Sequence, residues 1–326
     1  MLGLPYLVDD YSLIQLTIYV VMALLAVSLG FIWGFGGILC FGQAAFFGLG
    51  SYTYAIAVSN LGDSTLPFIF SIIVPAAFAA LLGYVIFFGR LSDVYVGVIT
   101  LTVTLILFNL VNSTAGPEWR IGNALLGGFN GIPSIPLLNV PGNADSTITP
   151  RGMFKLSFAL LIAVYAGLRA LIASRIGRVI IAIKENESRA QLLGYDSRSY
   201  KLLVFTLGGA IAGLAGCLFA NWGSFTSPTV FGLAQSAQII VWVIVGGLGT
   251  LIGPMLGCAL ILWLTTQIGT QQTLNSSLAL GAVFLLFMLL APKGIVPSLG
   301  ALLERFFRRH VVRRTATVAN LEERDA

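Results

Sequence analysis

The chain has 326 residues, of which 57% are hydrophobic and only 10% are charged, and its formal net charge is +5. Its mean hydropathy of +0.92 lies outside the range of soluble globular domains, whose apolar share is typically about 45–50%. The composition therefore excludes a soluble domain and indicates a polytopic membrane protein, with no nucleic acid among its expected partners. The apolar runs are long and unbroken, which favours transmembrane helices over the alternating segments of about 10 residues found in membrane barrels.

Runs long enough to cross a hydrocarbon core of about 30 Å follow one another along the chain. They lie near residues 11–32, 36–60, 66–88, 94–115, 153–173, 202–222, 234–249, 252–268 and 276–291. We predict an all-α polytopic protein with about nine transmembrane helices, in a range of eight to ten. A broken or re-entrant pair in the glycine-rich run 33–60 is the alternative that would make ten. The first run has Asp9 and Asp10 before it and no preceding Lys or Arg, so we expect a retained span rather than a cleaved signal peptide.

The orientation follows from the basic residues, because loops rich in Lys and Arg stay on the cytoplasmic side. With nine spans, fifteen of the eighteen basic residues fall on one side, and only Arg120, Arg151 and Lys155 fall on the other. We therefore expect a cytoplasmic C-terminus and a periplasmic N-terminus. The segment 116–152, rich in Pro, Gly and Asn, is predicted to be a long external loop.

Polar side chains are rare inside the predicted spans. Thr102 and Asn109 lie seven residues apart on one face of the fourth run, with Asn112 near its outer end, and Gln43 is another intramembrane amide. These four are candidates for a translocation path, although hydrogen bonding between helices is an equally good use for each. Ionisable groups at membrane depth are confined to span ends, so the spans offer no evident means of proton coupling.

A charged segment at residues 182–201 contrasts with the rest of the chain, because the next ninety-one residues carry no charge. The stretch Glu185 to Leu193 is predicted to be a helix of two to three turns, with Asn186 or Ser188 as its N-cap and Gly194 as a left-handed C-terminal residue. So short a helix is marginal alone, so we expect a partner to pack on it, with Ile183, Ala190 and Leu193 as the apolar strip. An ordinary solvated loop is the alternative.

Small residues recur at helix-packing spacings in the charge-free part of the chain, where they let helix backbones approach closely. The candidates are Gly209, Gly213, Gly246, Gly249, Gly253 and Gly257. The three cysteines fall in apolar runs and are predicted to be buried small side chains; no metal site is indicated. The chain also lacks the GxxxxGK[ST] phosphate-binding loop, so it is not expected to hydrolyse nucleotide alone.

Several of these segments, in this order, resemble the permease subunits of ABC importers of the branched-chain amino acid type, over about residues 20–298. The resemblance is carried by "GFGGILCFGQAAFFGLGSYTYA" (34–55), "RLSDVYVGVITLTVTLILFNLV" (90–111), "GGFNGIPSIP" (127–136), the segment 177–220, "GGLGTLIGPMLGCAL" (246–260) and "APKGIVP" (291–297). Glu187, Ala190 and Gly194 fall where such permeases have a Glu-Ala-Gly pattern, but the residues after Glu187 are Ser188 and Arg189.

The resemblance implies a non-catalytic permease in the bacterial inner membrane. Its implied partners are a homologous second permease, two cytoplasmic ABC ATPases, which bind the ATP, and a periplasmic solute-binding protein. The cytoplasmic coupling helix would use Glu185, Glu187, Arg189, Ala190 and Gly194. No cofactor would bind the chain directly. The implied cargo is a branched-chain or other small amino acid, with urea or short amides as the alternative.

Two other functions stay open on the residues alone. A self-sufficient carrier or channel would use the glycine-broken run 33–60, and a structural membrane protein would transport nothing. Two domains are predicted, a permease domain at 1–303 and a basic cytoplasmic tail at 304–326. The tail, with Phe306 and Phe307 among its basic residues, is expected either to lie along anionic membrane lipid or to be unstructured.

Overall fold

The structure, a computed structural model of the chain, describes residues 9–140, 143–270, 281 and 294–298. Its helices are α1 (Asp10–Gly34), α2 (Gln43–Leu61), α3 (Thr65–Phe88), α4 (Asp93–Asn112), α5 (Pro150–Ala173), α6 (Arg175–Glu185), α7 (Glu187–Leu192), α8 (Ser197–Gly223), α9 (Leu233–Gly246) and α10 (Ile252–Thr270). Two short helical turns of the 3-10 type lie at Gly128–Asn130 and Pro228–Phe231. The predicted span 276–291 and the tail 304–326 lie outside the described residues, apart from residue 281.

The strands lie between α4 and α5. They form two antiparallel hairpins, β1 (Arg120–Ile121) with β2 (Ala124–Leu125) and β3 (Asn139–Val140) with β4 (Asn143–Thr147). Residues 116–152 were predicted to form an external loop. In the structure this segment ends three residues earlier, at Thr149. Pro150 begins α5, and the Thr149 side chain accepts a hydrogen bond from the Gly152 amide at 3.2 Å, a favourable start for a helix.

Five helices of the described residues are long and apolar enough to cross a membrane: α1, α3, α4, α5 and α8. Each coincides with a predicted run. Runs 36–60, 234–249 and 252–268 also became helices, α2, α9 and α10, but these are not among the five, so the count of about nine is not confirmed. The glycine-rich run 33–60 forms an irregular segment after α1 and then one helix, α2, rather than a pair.

The centre of the bundle is α8, which packs on α1, α2 and α3. Glycine allows the closest of these approaches: a Cβ on Gly50 of α2 would collide with the carbonyl oxygen of Gly213, and one on Gly216 of α8 with that of Phe47. Helices α1 and α8 are mostly buried, whereas most side chains of α3, α4 and α5 are partly or fully exposed. Exposed apolar helices are compatible with lipid, where packing of small residues drives association instead of the hydrophobic effect.

The loop between α4 and α5 is tied to one end of the bundle, called here the loop end. Asn139 is buried there and accepts a hydrogen bond from the Ser64 amide at 3.0 Å. The Asn221 side chain accepts one from the Leu138 amide at 2.7 Å, and the Tyr54 hydroxyl donates one to the Pro136 carbonyl at 3.1 Å. These bonds fix the loop on α2, α3 and α8, so it is a bound cap rather than a free connection.

Candidate functional site

The charged segment lies at the opposite end of the bundle, beside the ends of α1 and α3, and we call this the α7 end. Its first element, α6, begins where the Ser174 hydroxyl accepts a hydrogen bond from the Gly177 amide at 3.3 Å. Ile180 and Ile183 of α6 are buried, whereas its arginines are exposed. This amphipathic pattern lays α6 along the end of the bundle.

Of the two predicted N-cap candidates of the short helix, Asn186 rather than Ser188 is the N-cap, and the predicted role of Gly194 at its C-terminus is confirmed. The Asn186 side chain accepts a hydrogen bond from the Arg189 amide at 2.9 Å. At the other end the amides of Gly194 and Tyr195 donate to the carbonyls of Gln191 and Ala190, at 2.9 and 3.2 Å, and Gly194 has φ +89°. These two bonds form a Schellman motif with glycine in its left-handed position.

The predicted start of this helix is wrong by two residues. Asn186 has an extended backbone that interrupts the helix, so α7 begins at Glu187, and Glu185 is instead the last residue of α6. Glu185 therefore belongs to a different helix from Glu187, Arg189 and Ala190.

The predicted apolar strip is also largely wrong. Ile183 and Ala190 are both only 3% exposed because they pack inside the chain itself. The outward apolar residues are Leu192, which is 88% exposed, and Leu193, which is 77% exposed. Sequence reasoning missed Leu192. Helical geometry places it roughly opposite Ala190, so it would have been found had the inward direction of Ala190 been known.

An ion pair joins α7 to α8. The Lys201 ammonium lies 2.7 Å from a Glu187 carboxylate oxygen, and the Gln191 amide donates to the Ser197 hydroxyl at 2.9 Å. Partial burial raises the pKa of the Glu187 carboxyl, but hydrogen bonds from Lys201 and Ser197 and the charge of Lys201 outweigh it, so its pKa lies below the usual value. Glu187 is thus ionised and holds α7 against the start of α8.

A second contact joins α6 to α1. The Lys184 ammonium donates a hydrogen bond to the Gly34 carbonyl at 2.8 Å, at the last residue of α1. A cation at a helix C-terminus is favourable because the final carbonyls lack partners and carry partial negative charge. The α6–α7 unit is therefore tied to α1 and α8, the two long helices that are most buried.

The path candidates are not brought together. Gln43 is buried, and its amide donates to the Ser28 hydroxyl at 2.7 Å and to the Gly208 carbonyl at 3.1 Å, so it binds α2 to α1 and α8 rather than facing an open channel. Thr102 and Asn109 lie on the exposed face of α4, where each bonds to a carbonyl four residues earlier. Asn112, partly buried, follows at the end of α4.

Most of the predicted packing glycines lie at close contacts. A Cβ added to Gly209 would clash with Ala79, and one added to Gly213 would clash with Pro75. A Cβ added to Gly246 would clash with the Gly253 carbonyl, and one added to Gly257 would clash with the Trp242 carbonyl. Gly253 lies on the other side of that α9–α10 contact. Gly249 differs: a Cβ there would meet no atom within 4 Å, and its φ of +88° makes it a turn residue.

Chemical groups for catalysis are sparse in the described part of the chain. No group of three or more His, Cys, Asp or Glu residues able to hold a metal ion occurs among the described residues. Cys40, Cys217 and Cys258 are free and buried, as predicted. The polar and charged contacts at the α7 end hold helices together, and its exposed surface is polar apart from an apolar tip at Leu192 and Leu193.

A bundle of apolar helices crossing at glycines, five of them long enough to cross a membrane, defines a helical membrane protein. The chain belongs to the family described as branched-chain amino acid transport system, permease component, which matches residues 11–292. No solved structure matches the chain significantly.

Named relatives agree with this assignment. The high-affinity branched-chain amino acid transport system permease protein LivM of Escherichia coli is 28% identical over 320 residues, covering 90% of this chain and 72% of LivM. BraD of Pseudomonas aeruginosa, a permease protein of the same description, is 26% identical over 291 residues, covering 86% of this chain and 93% of BraD. LivH of Escherichia coli, also so described, is 29% identical over 125 residues, covering 38% of this chain and 40% of LivH.

Proposed function

We propose that this chain is one of two homologous permease subunits of an ATP-driven importer in the bacterial inner membrane. The observation that carries the proposal is the exposed tip of α7, at Leu192 and Leu193. Two adjacent leucines exposed on a polar surface favour a protein partner. That partner is a cytoplasmic ATPase subunit, present in two copies per importer. The permease itself hydrolyses no ATP and binds no cofactor directly.

The proposed topology has nine crossings. Eight of them are α1 to α5 and α8 to α10. Contacts at the two ends agree with the directions of α1 and α5: Arg151 pairs with Asp10 at 3.1 Å where both helices begin, and Lys184 of α6, which follows α5, meets Gly34 where α1 ends. The ninth is the run 276–291. The α7 end is cytoplasmic, since Arg90, Arg169 and the basic residues of 175–201 gather there. The N-terminus is then periplasmic, and the chain divides into a permease domain, 1–303, and a cytoplasmic tail, 304–326.

The proposed mechanism uses α7 as a coupling helix. Closure of the ATPase pair on ATP would displace α7, and the Glu187–Lys201 pair would pass that displacement to α8 while Lys184 passes it to α1. Arg189 and the exposed leucines supply contacts to the ATPase. Gly194 lets the chain turn back toward α8 immediately after this contact. Ala190 is buried, and its role is to keep α7 packed on the bundle.

The proposed path lies on α4. Thr102 and Asn109 share a face with Tyr95, Val98 and Ile106, at steps of three or four residues, and all five side chains are exposed. An exposed amide such as that of Asn109 is unfavourable in lipid. We infer that this face meets the second permease, with Thr102, Asn109 and Asn112 toward the solute.

The proposed cargo is a branched-chain or other small amino acid, because the named relatives are permeases of high-affinity branched-chain amino acid systems. Urea or a short amide is the alternative cargo. The similarity to both LivM and LivH supports pairing with a homologous permease. A periplasmic solute-binding protein would dock on the loop end, where the loop between α4 and α5 is fixed in place.

The proposed contact with the ATPase is tested by replacing the two exposed leucines of α7. Leu192→Ser with Leu193→Ser should reduce co-purification of the ATPase subunits and their stimulated ATP hydrolysis by tenfold or more, while membrane insertion is unchanged. Leu61→Ser, which changes a leucine that is 51% exposed at the loop end, is the matched control. Normal ATPase association by the α7 variant, or solute flux through the purified chain alone, would contradict the proposal.

A further inference from the structure

A second feature of the α7 end is a cleft of about 430 Å³, which shares the Glu187–Lys201 pair with the proposed coupling mechanism but also contains Arg90 and Arg198, which that mechanism does not use. It lies between the end of α3, the turn into α4, and the facing sides of α7 and α8. Arg90, Arg198, Lys201, Glu187, Phe87 and Leu91 line it. Leu192 and Leu193, the tip proposed to meet the ATPase, do not. The cleft is therefore distinct from the apolar tip of α7.

The charges in the cleft are unbalanced. Glu187 is engaged by Lys201 at 2.7 Å. Within the described residues, the guanidinium groups of Arg90 and Arg198 have no carboxylate at ion-pairing distance. Asp196, close to Arg198 in sequence, accepts hydrogen bonds from the Ser199 hydroxyl at 2.6 Å and from the Arg198 amide at 3.4 Å. Among the described residues that line the cleft, Arg90, Arg198 and Lys201 are cations and Glu187 is the one carboxylate, while Arg198 also interacts electrostatically with Asp196 outside the cleft. The described lining therefore carries a net positive charge.

The backbone conformation of Arg90 independently indicates that this side chain has a function at the cleft. Arg90 has φ +55°, and the amides of Arg90 and Leu91 donate to the carbonyls of Phe87 and Ile86, both at 3.3 Å. This is the same Schellman motif that ends α7, where the left-handed residue is Gly194. At the end of α3 the glycine, Gly89, comes one position too early, and arginine occupies the left-handed position, which is unfavourable for a residue with a Cβ. A backbone cost of this kind at a cleft suggests that the side chain there has a function.

We propose that the cleft binds the phosphate of an anionic phospholipid from the cytoplasmic leaflet, through Arg90 and Arg198. Planar guanidinium groups match phosphate oxygens and can bind two at once. Phe87 and Leu91 contact the glycerol end. The acyl chains follow α3, whose Leu81, Tyr84 and Val85 are exposed over the preceding turns. The exposed apolar side chains of α3, the helix that ends at the cleft, favour a lipid over free phosphate or an acidic side chain of the ATPase. The bound lipid joins the α3–α4 turn to α7 and α8.

Binding is measured on the full chain in neutral detergent, with phosphatidylglycerol, phosphatidylcholine and sodium phosphate as separate probes. Native mass spectrometry gives occupancy, and a thermal melt gives the shift in Tm. Phosphatidylglycerol should bind at least tenfold more tightly than phosphatidylcholine. Arg90→Gly and Arg198→Gln should each weaken it about fivefold, the loss expected for one basic residue at an anionic surface. Arg175→Gln, on the same face but outside this cleft, should not.

The Arg90→Gly variant also shows whether a loss of lipid binding is caused by a loss of stability. Glycine is favoured in the left-handed position, so this variant should have a higher Tm than the unmodified chain in lipid-free detergent while losing most of the lipid-induced Tm shift. Equal binding of the two lipids, or equal losses in Arg90→Gly and Arg175→Gln, would overturn the proposal. So would saturation by sodium phosphate alone, or unchanged lipid binding together with weaker ATPase association, which would assign the cleft to the ATPase.

Discussion

The ion pair between Glu187 and Lys201 can be tested by exchanging its charges. Glu187→Lys places two ammonium groups where a carboxylate and an ammonium now lie 2.7 Å apart. Lys201→Glu places two carboxylates at the same position. The double variant Glu187→Lys with Lys201→Glu restores opposite charges with the positions reversed. If the pair fixes α7 on α8, each single variant should loosen α7, and the double variant should fix it again.

The size of the effect follows from the exposure of the two side chains. At an effective dielectric constant of about 20, opposite charges about 4 Å apart attract by about 4 kcal/mol. The Lys201 side chain is 16% exposed but that of Glu187 is 41% exposed, so water screens the pair from one side. Fully exposed pairs contribute only about 0.2–1 kcal/mol. A coupling energy of about 1 kcal/mol is therefore expected, and reversal of one charge should cost about 2 kcal/mol, roughly a thirtyfold change in the docking equilibrium of α7.

Hydrogen exchange at the amides of residues 189–195 measures this equilibrium directly, because exchange there requires α7 to open. Glu187→Lys should raise the exchange rate roughly thirtyfold, while amides within α9 keep theirs. In the assembled importer, stimulated ATP hydrolysis should fall in both single variants and recover in the double variant. Unchanged exchange in Glu187→Lys, or a double variant whose losses are the sum of the two single losses, would refute the role assigned to the pair.

The remaining predictions concern the scaffold. Gly216→Ala should lower the free energy of unfolding by about 1–3 kcal/mol, seen as a lower Tm, because the new Cβ would clash with the backbone of Phe47 and Ser51. Gly223→Ala, in the same helix with open space around it, should not lower it. Asn139→Ala should cost about 1–3 kcal/mol by leaving the buried Ser64 amide without its partner. Protease cleavage of the loop between α4 and α5 should then be faster, whereas it should be unaffected by Asn130→Ala, an exposed position.

The sequence predicted the helices whose formation depends mainly on local signals. Apolar length alone located α1, α3, α4, α5 and α8, because a helix satisfies its own backbone hydrogen bonds across a membrane. The caps of α7 were also predicted, since Asn186 and Gly194 act through bonds to residues only three to five positions away. Local rules set these features, and the surrounding structure did not alter them.

Features that depend on contacts between distant segments could not be predicted in this way. The burial of Ala190, and hence the exposure of Leu192, depends on how α7 lies against the bundle. Gln43 looked like a path residue because intramembrane amides are rare, but its partners, Ser28 and Gly208, are 15 and 165 positions away. The left-handed backbone at Arg90 ran against the sequence signal, because Gly89 beside it is the residue that would normally take that conformation.

The contacts at the α7 end also restrict how the bundle can move. Lys184 and Lys201 attach the α6–α7 unit to α1 and α8, and α8 crosses α2 at glycines whose backbones are in direct contact. Closely packed interiors transmit displacement instead of absorbing it. A push on α7 should therefore shift α1, α2 and α8 together, and the sparsely buried α4 is where relative motion can open a path. If α4 carries the proposed path, the moving boundary would lie at the face that carries Thr102 and Asn109, where an exposed amide would otherwise be unfavourable in lipid.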